Sequence, residues 1–206
     1  MIYNKLHISV NSNSKLTAIP SINLPPVVTC RPGAPCSRDC YACRGNFRFE
    51  NVKKSAFNNL IEYQKDPAGY FARVVSFLSR GIVSYRFFRW HASGDIVNAD
   101  YLRGMVTTAK KCKTVKFLCF TKKFELVNEY IKSGEKIPGN LVIVFSAWNR
   151  NFDIKNIYGL PVAYVDFNNE KTPNIPAAAL PCGGDCASCL QCFNLKKGGA
   201  VVFKKH

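Results

Sequence analysis

The sequence predicts an α/β protein: a partial (β/α) barrel of mostly parallel strands, with helices outside and a C-terminal cysteine-rich segment. Three observations carry that expectation. Segments of strand and helix period alternate in the order strand, helix, strand, helix, strand, helix, strand, strand. The run Leu141–Trp148 (LVIVFSAW) is almost unbroken in its apolar character, as a strand covered on both faces requires. Polar, reactive residues follow directly after the strands, where ligands gather on parallel sheets.

The elements follow in order. Residues 1–25 are polar and turn-rich, with strand-like pieces at Lys5–Val10 and Leu16–Pro20. Pro25–Thr29 reads as a short extended run, because a residue before proline is turned away from helix. A cysteine loop, residues 30–45, comes next. Val52–Gln64 sets Phe57, Leu60 and Ile61 at helical spacing. Asp66-Pro67 is an N-cap with proline at the first helical position, and Tyr70, Phe71, Val74, Val75 and Leu78 continue as one apolar stripe to a stop at Gly81. Ser84–His91 (SYRFFRWH) is an aromatic-rich strand. Asn98 caps a helix whose stripe is Tyr101, Leu102, Met105, Val106 and Ala109. Thr114–Thr121 is a strand, and Phe124, Val127 and Ile131 mark a short helix closed near Gly134. Strands at Leu141–Trp148, Pro161–Phe167 and Ala200–Phe203 complete the pattern.

The chain has 206 residues, read as one domain: an α/β core over 26–167 and a cysteine-rich segment over 180–206. With 47% hydrophobic and 20% charged residues it is globular rather than disordered. No apolar run approaches a membrane span, and MIYNKLHISV lacks the charged head and apolar stretch of a signal peptide, so a cytoplasmic protein is expected. Ten cysteines in a reducing compartment point to metal ligation rather than disulfides. The net charge of +16 suits a polyanionic partner, with nucleic acid the first candidate.

Two clusters carry the chemistry. CRPGAPCSRDCYACRG sets Cys30, Cys36, Cys40 and Cys43 within fourteen positions. CGGDCASCLQC sets Cys182, Cys186, Cys189 and Cys192 at gaps of three, two and two residues. Short gaps flanked by glycine let a backbone wrap a compact inorganic core, as in ferredoxins, whereas zinc sites more often use two separated pairs. An iron–sulfur cluster is the first expectation for the second set, with zinc as the alternative.

Within the first set, Cys36-x3-Cys40-x2-Cys43 resembles the motif of the radical S-adenosylmethionine enzymes. That resemblance implies a 4Fe-4S cluster on three thiolates, with one iron left for S-adenosylmethionine. Tyr41 stands one place earlier than that family's aromatic residue. Ser93-Gly94-Asp95, after the SYRFFRWH strand, resembles the family's segment for the methionine amino group, with Asp95 as the acceptor. A second resemblance covers nearly the whole chain. CRPGAPCSRDCYACRGNFRFENV, FRWHASGDI, FLCFTKK, NLVIVFSAW and the terminal VVFKKH are similar to the phage proteins of the gene-product-88 domain family. It implies a pattern centred on Cys30, Cys36, Cys40 and the C-terminal cysteines, and a host-cytoplasmic location if the chain is phage-encoded. Cys43 is the spare thiol on this alignment and Cys30 on the other. The functional expectation is an iron–sulfur protein of redox or radical type, served by an electron donor. The alternative is a non-catalytic iron–sulfur or zinc protein that binds nucleic acid or a partner through a basic surface.

Other residues have simpler readings. Cys112 and Cys119 are packing residues. His91 either lines the site or is a hydrogen-bonded structural histidine, and His7 and His206 are incidental. Lys122 and Lys123 stand where phosphate or carboxylate would be met. Trp90, Trp148 and Tyr41 are core aromatics or stacking platforms, and Ser146 and Asn149 are candidate ribose contacts. No Ser-His-Asp triad, phosphate loop, His-Glu-x-x-His motif or spaced pair of catalytic carboxylates is apparent in the sequence.

Overall fold

The computed structural model describes residues 6–10, 16, 18–79, 85–150 and 153–205. Its elements are β1 (Ile8–Ser9), β2 (Ser21–Ile22), α1 (Glu50–Lys65), α2 (Pro67–Ser79), β3 (Phe87–Trp90), α3 (Ala99–Lys111), β4 (Lys116–Thr121), α4 (Phe124–Lys132), β5 (Leu141–Ala147), β6 (Val162–Asp166), β7 (Leu180–Pro181), α5 (Cys186–Cys189) and β8 (Ala200–Lys204). The expected helix signals do their work. Asp66 accepts from Gly69 N at 2.9 Å with Pro67 opening α2, and Asn98 accepts from Tyr101 N at 2.8 Å to start α3.

The eight strands form one open sheet in the order β1-β2-β3-β4-β5-β6-β8-β7, parallel throughout except at β1–β2. From β2 to β6 each strand lies beside its predecessor. Right-handed crossovers that always step the same way leave their helices on one face. The side chains bear this out. Phe88, Trp90, Phe117, Ile143 and Phe145 pack with Tyr70, Phe71, Tyr101 and Leu102 of the helices. The alternate residues Leu118, Val144, Ala163 and Val201 face the other way, onto Leu16, Ile19 and Phe193 with Cys182, Cys186 and Cys192. The C-terminal cysteine segment therefore covers the face that the helices leave bare.

Several expectations change. Pro25–Thr29 is a turn, not an extended run: Val27 has φ +67°, and Thr29 Oγ1 donates to Pro25 O at 2.9 Å. The first parallel strand is Ser21–Ile22, not Leu16–Pro20, and among the described residues of the first strand-like piece Ile8–Ser9 alone is paired. Trp148 lies just past β5. β7 went unforeseen because Pro181 argues against a strand. It is tolerated at the sheet edge, where no neighbour needs its missing N–H. Lys5, Thr17, the helix stop at Gly81, the strand start at Ser84 and His206 lie outside the described residues. Among the described residues, no helix is long and apolar enough to cross a membrane.

Candidate metal centre

The end of β3 is knitted to the segment after β2, and the first cysteines hang from that seam. Asn23 Oδ1 accepts from Ala92 N and Ser93 N at 2.8 and 3.2 Å. Leu24 N donates to Ser93 O, and Ser93 Oγ donates back to Leu24 O, both at 3.0 Å. Gly94, at φ +79°, lies so close that a Cβ there would stand 2.7 Å from Leu24 Cβ, Leu24 O and Thr29 Oγ1. Asp95 N donates to Thr29 Oγ1 at 3.1 Å, and Cys30 is the next residue.

Asp95 is 5% exposed. Its Oδ1 accepts from Ile96 N at 2.7 Å and its Oδ2 from Lys122 N at 3.0 Å. Burial raises its carboxyl above the usual range, against those amide donors. Ser93, Gly94 and Asp95 are thus drawn together at the cysteine loop, each engaged with protein backbone.

The loop itself is three short 3-10 turns, Ser37–Asp39, Tyr41–Cys43 and Gly45–Arg48. Arg31 ties its start to α4 through a 3.1 Å ion pair with Glu125. The Tyr41 ring is 50% exposed, but its hydroxyl turns inward and donates to Ala92 O. Cys30, Cys36 and Cys40 are half-buried, while Cys43 is exposed. Burial pushes the Cys30 thiol up to about 11, opposed by a Val27 backbone hydrogen bond and reinforced by Asp95, Cys40 and Cys36. Burial also raises Cys40, which hydrogen-bonds the Cys43 thiol and feels the Lys122 ammonium. The four thiols share one corner, with Cys40 between Cys30 on the inside and Cys43 on the outside.

The second set sits on the sheet's other face. Asp185 caps α5 by accepting from Ala187 N at 2.9 Å, so Cys186 and Cys189 fall one helical turn apart. Leu190 at φ +51° then turns the chain back. Cys182, Cys186, Cys189 and Cys192 line one cavity of about 40 Å³ with Arg89 and Phe120 beneath them. Burial pushes Cys192 up to about 12. The Arg89 guanidinium pulls it down, and the other three thiols raise it further. Among the described residues, no three His, Cys, Asp or Glu side chains are close enough to hold a single metal ion.

The remaining candidates separate cleanly. Cys112 and Cys119 are buried. His91, 3% exposed, bonds Tyr101 at 3.0 Å, and burial with the Arg89 and Lys123 charges lowers it to about 3, so it is a neutral structural residue. Trp90 is fully buried core. Lys122 Nζ donates to Ser146 Oγ at 2.9 Å and lies 5.7 Å from the Trp148 ring, whereas Lys123 Nζ turns back to Val97 O. Arg89 and Thr29 were missed. Strand alternation in PheArgTrp places Arg89 opposite Trp90 and was the available signal. Thr29 carried none, because its role depends on a turn the prolines disguised.

A family model described as Gene product 88 matches residues 3–199. No curated protein and no solved structure matches the chain.

Proposed function

The chain belongs to the gene product 88 family, and from that premise we propose that it is an iron–sulfur protein whose N-terminal cysteines hold a cluster at the C-terminal mouth of the sheet. The observation that carries this reading is the convergence of Cys30, Cys36 and Cys40 beside buried Asp95, with Cys43 outermost. Four cysteines within fourteen positions suit a compact polynuclear core, whose thiolates sit on separate irons. Cys182, Cys186, Cys189 and Cys192, around one cavity, form a second site of the same kind, with zinc as its alternative. When bound, such a centre supplies one-electron chemistry, drawn from an electron donor. The chain's own residues fix the loop, through Ser93, Gly94 and Asp95, and shield it, through Tyr41. The +16 charge makes nucleic acid the partner class that the surface suits.

A second reading, a radical enzyme using S-adenosylmethionine, is favoured by the Cys36-x3-Cys40-x2-Cys43 spacing at the mouth of a sheet wound strand by strand. It asks Asp95 for an acceptor that already holds two backbone amides. One preparation tests both. The protein is purified without oxygen, iron, sulfide and zinc are measured, and S-adenosylmethionine is added to the reduced protein under electron spin resonance. Iron and sulfide on the order of four each per occupied site are expected. Zinc without iron sinks the proposal, and a spectrum that shifts with S-adenosylmethionine promotes the second reading.

A further inference from the structure

The residue that follows each of four neighbouring parallel strands is, across the sheet, Lys122 after β4, Trp148 after β5, Phe167 after β6 and Lys205 after β8. They touch in series. The Lys122 ammonium lies 5.7 Å from the Trp148 ring centre. The Trp148 and Phe167 rings meet edge to face at 5.4 Å. The Lys205 ammonium lies 5.1 Å from the Phe167 ring centre. Strand alternation puts all four on the face opposite the helices, since Phe120, Ser146, Val165 and Phe203 precede them by two. Both rings are part-exposed and stand outside the two hydrophobic cores of the described residues. Arg150 and Lys171 flank the strip, joined by a 3.0 Å backbone bond. Two acids border it: Asp166 turns Oδ1 to Asn168 N and Thr172 Oγ1, and Asp95 turns Oδ2 to Lys122 N.

We propose that this strip binds single-stranded nucleic acid, with successive bases on Trp148 and Phe167 and phosphates on Lys122 and Lys205. An ammonium at each end of an aromatic pair repeats the alternation of phosphate and base along an unpaired strand. At an exposed site the contact between ammonium and ring is weaker than base stacking on the same ring. A base therefore displaces the ammonium from the ring face and leaves it beside the adjoining phosphate. A duplex hides its base faces and gains only the charges. An acidic peptide likewise meets the lysines and leaves the rings idle. The strip begins at Lys122, whose charge reaches Cys40, so a bound strand passes the cysteine loop. The inference rests on the nucleic-acid part of the reading above and not on the cluster.

The test is fluorescence anisotropy of a labelled oligothymidylate with the full chain, at two salt concentrations, using duplex DNA and polyglutamate as competitors. Trp148→Ala and Phe167→Ala should each weaken binding about tenfold, and Trp148→Phe should stay within about threefold of the parent. Quenching of Trp148 fluorescence on binding gives a second readout that needs no variant. Unchanged affinity in both alanine variants, duplex competing as well as single strand, or polyglutamate displacing the oligonucleotide equally well would each overturn the inference while leaving the cluster reading intact. If neither nucleic acid binds, the partner proposed above falls with it.

Discussion

Cys30 and Cys43 are chemically alike, yet the fold treats them differently. Cys30 follows Thr29, which Asp95 N fixes, and its thiol lies half-buried with Cys36 and Cys40. Cys43 is exposed, and its thiol meets that of Cys40. Cys30→Ala should therefore abolish iron loading at the N-terminal site, and Cys43→Ala should retain most of it. Iron and sulfide analysis of the two proteins decides this, and the reverse pattern would hand the site to the radical-enzyme spacing. Motif spacing left that choice open because it carries no burial. His91 makes a second residue-scale prediction. Its folded value of about 3 lies below the ordinary 6.5, so below pH 6.5 the unfolded chain takes up a proton that the folded chain refuses. Stability from this group is full above pH 6.5 and falls as pH drops toward 3. Between pH 7 and pH 5 the loss is about 2 kcal/mol. The stability difference between parent and His91→Gln, from urea unfolding at both pH values, should shrink by that amount at pH 5. A difference that does not move with pH refutes the assignment.

Among the elements, the helices and central strands were legible, since Asp66-Pro67, Asn98 and the apolar stripes encode their own ends. The short pieces were not. β2 has two residues, and its position is set by pairing with Arg89 and Trp90, which no local pattern announces. The seam between β2 and β3 was half legible: Ser93-Gly94-Asp95 stood out, but its partners Asn23, Leu24 and Thr29 did not. Gly94→Ala tests the seam. A Cβ at 2.7 Å from three atoms, on a backbone at φ +79°, should cost about 1–3 kcal/mol. Because that strain falls on Leu24 and Thr29, protease cleavage within residues 30–45 should rise more than cleavage elsewhere. Uniform sensitivity across the chain would mean the seam does not hold the loop. Gly104 plays the matching part between helices, where a Cβ would stand 2.0 Å from the Phe71 ring.

At the scale of the molecule, a sheet wound strand by strand has one face served by helices and one that needs another cover. Cys182, Cys186, Cys192 and Phe193 supply it over Leu118, Val144 and Val201. If a metal centre gathers those cysteines, removing it with a chelator under reducing conditions should expose that apolar face. Binding of a hydrophobic dye should then rise, and Tm should fall by several degrees, on the order of 2–4 °C for each kcal/mol lost in a chain of this size. A dye signal that ignores the chelator would show that packing alone holds the cover. Arg89 gives this arrangement a further property. Its guanidinium lowers Cys192 from one side and the Tyr41 hydroxyl, beside Cys40, from the other. One cation thus acts on a thiol of the C-terminal set and on the tyrosine that borders the N-terminal set. A change at Arg89 would therefore be felt at two places far apart in sequence, Cys192 and Tyr41.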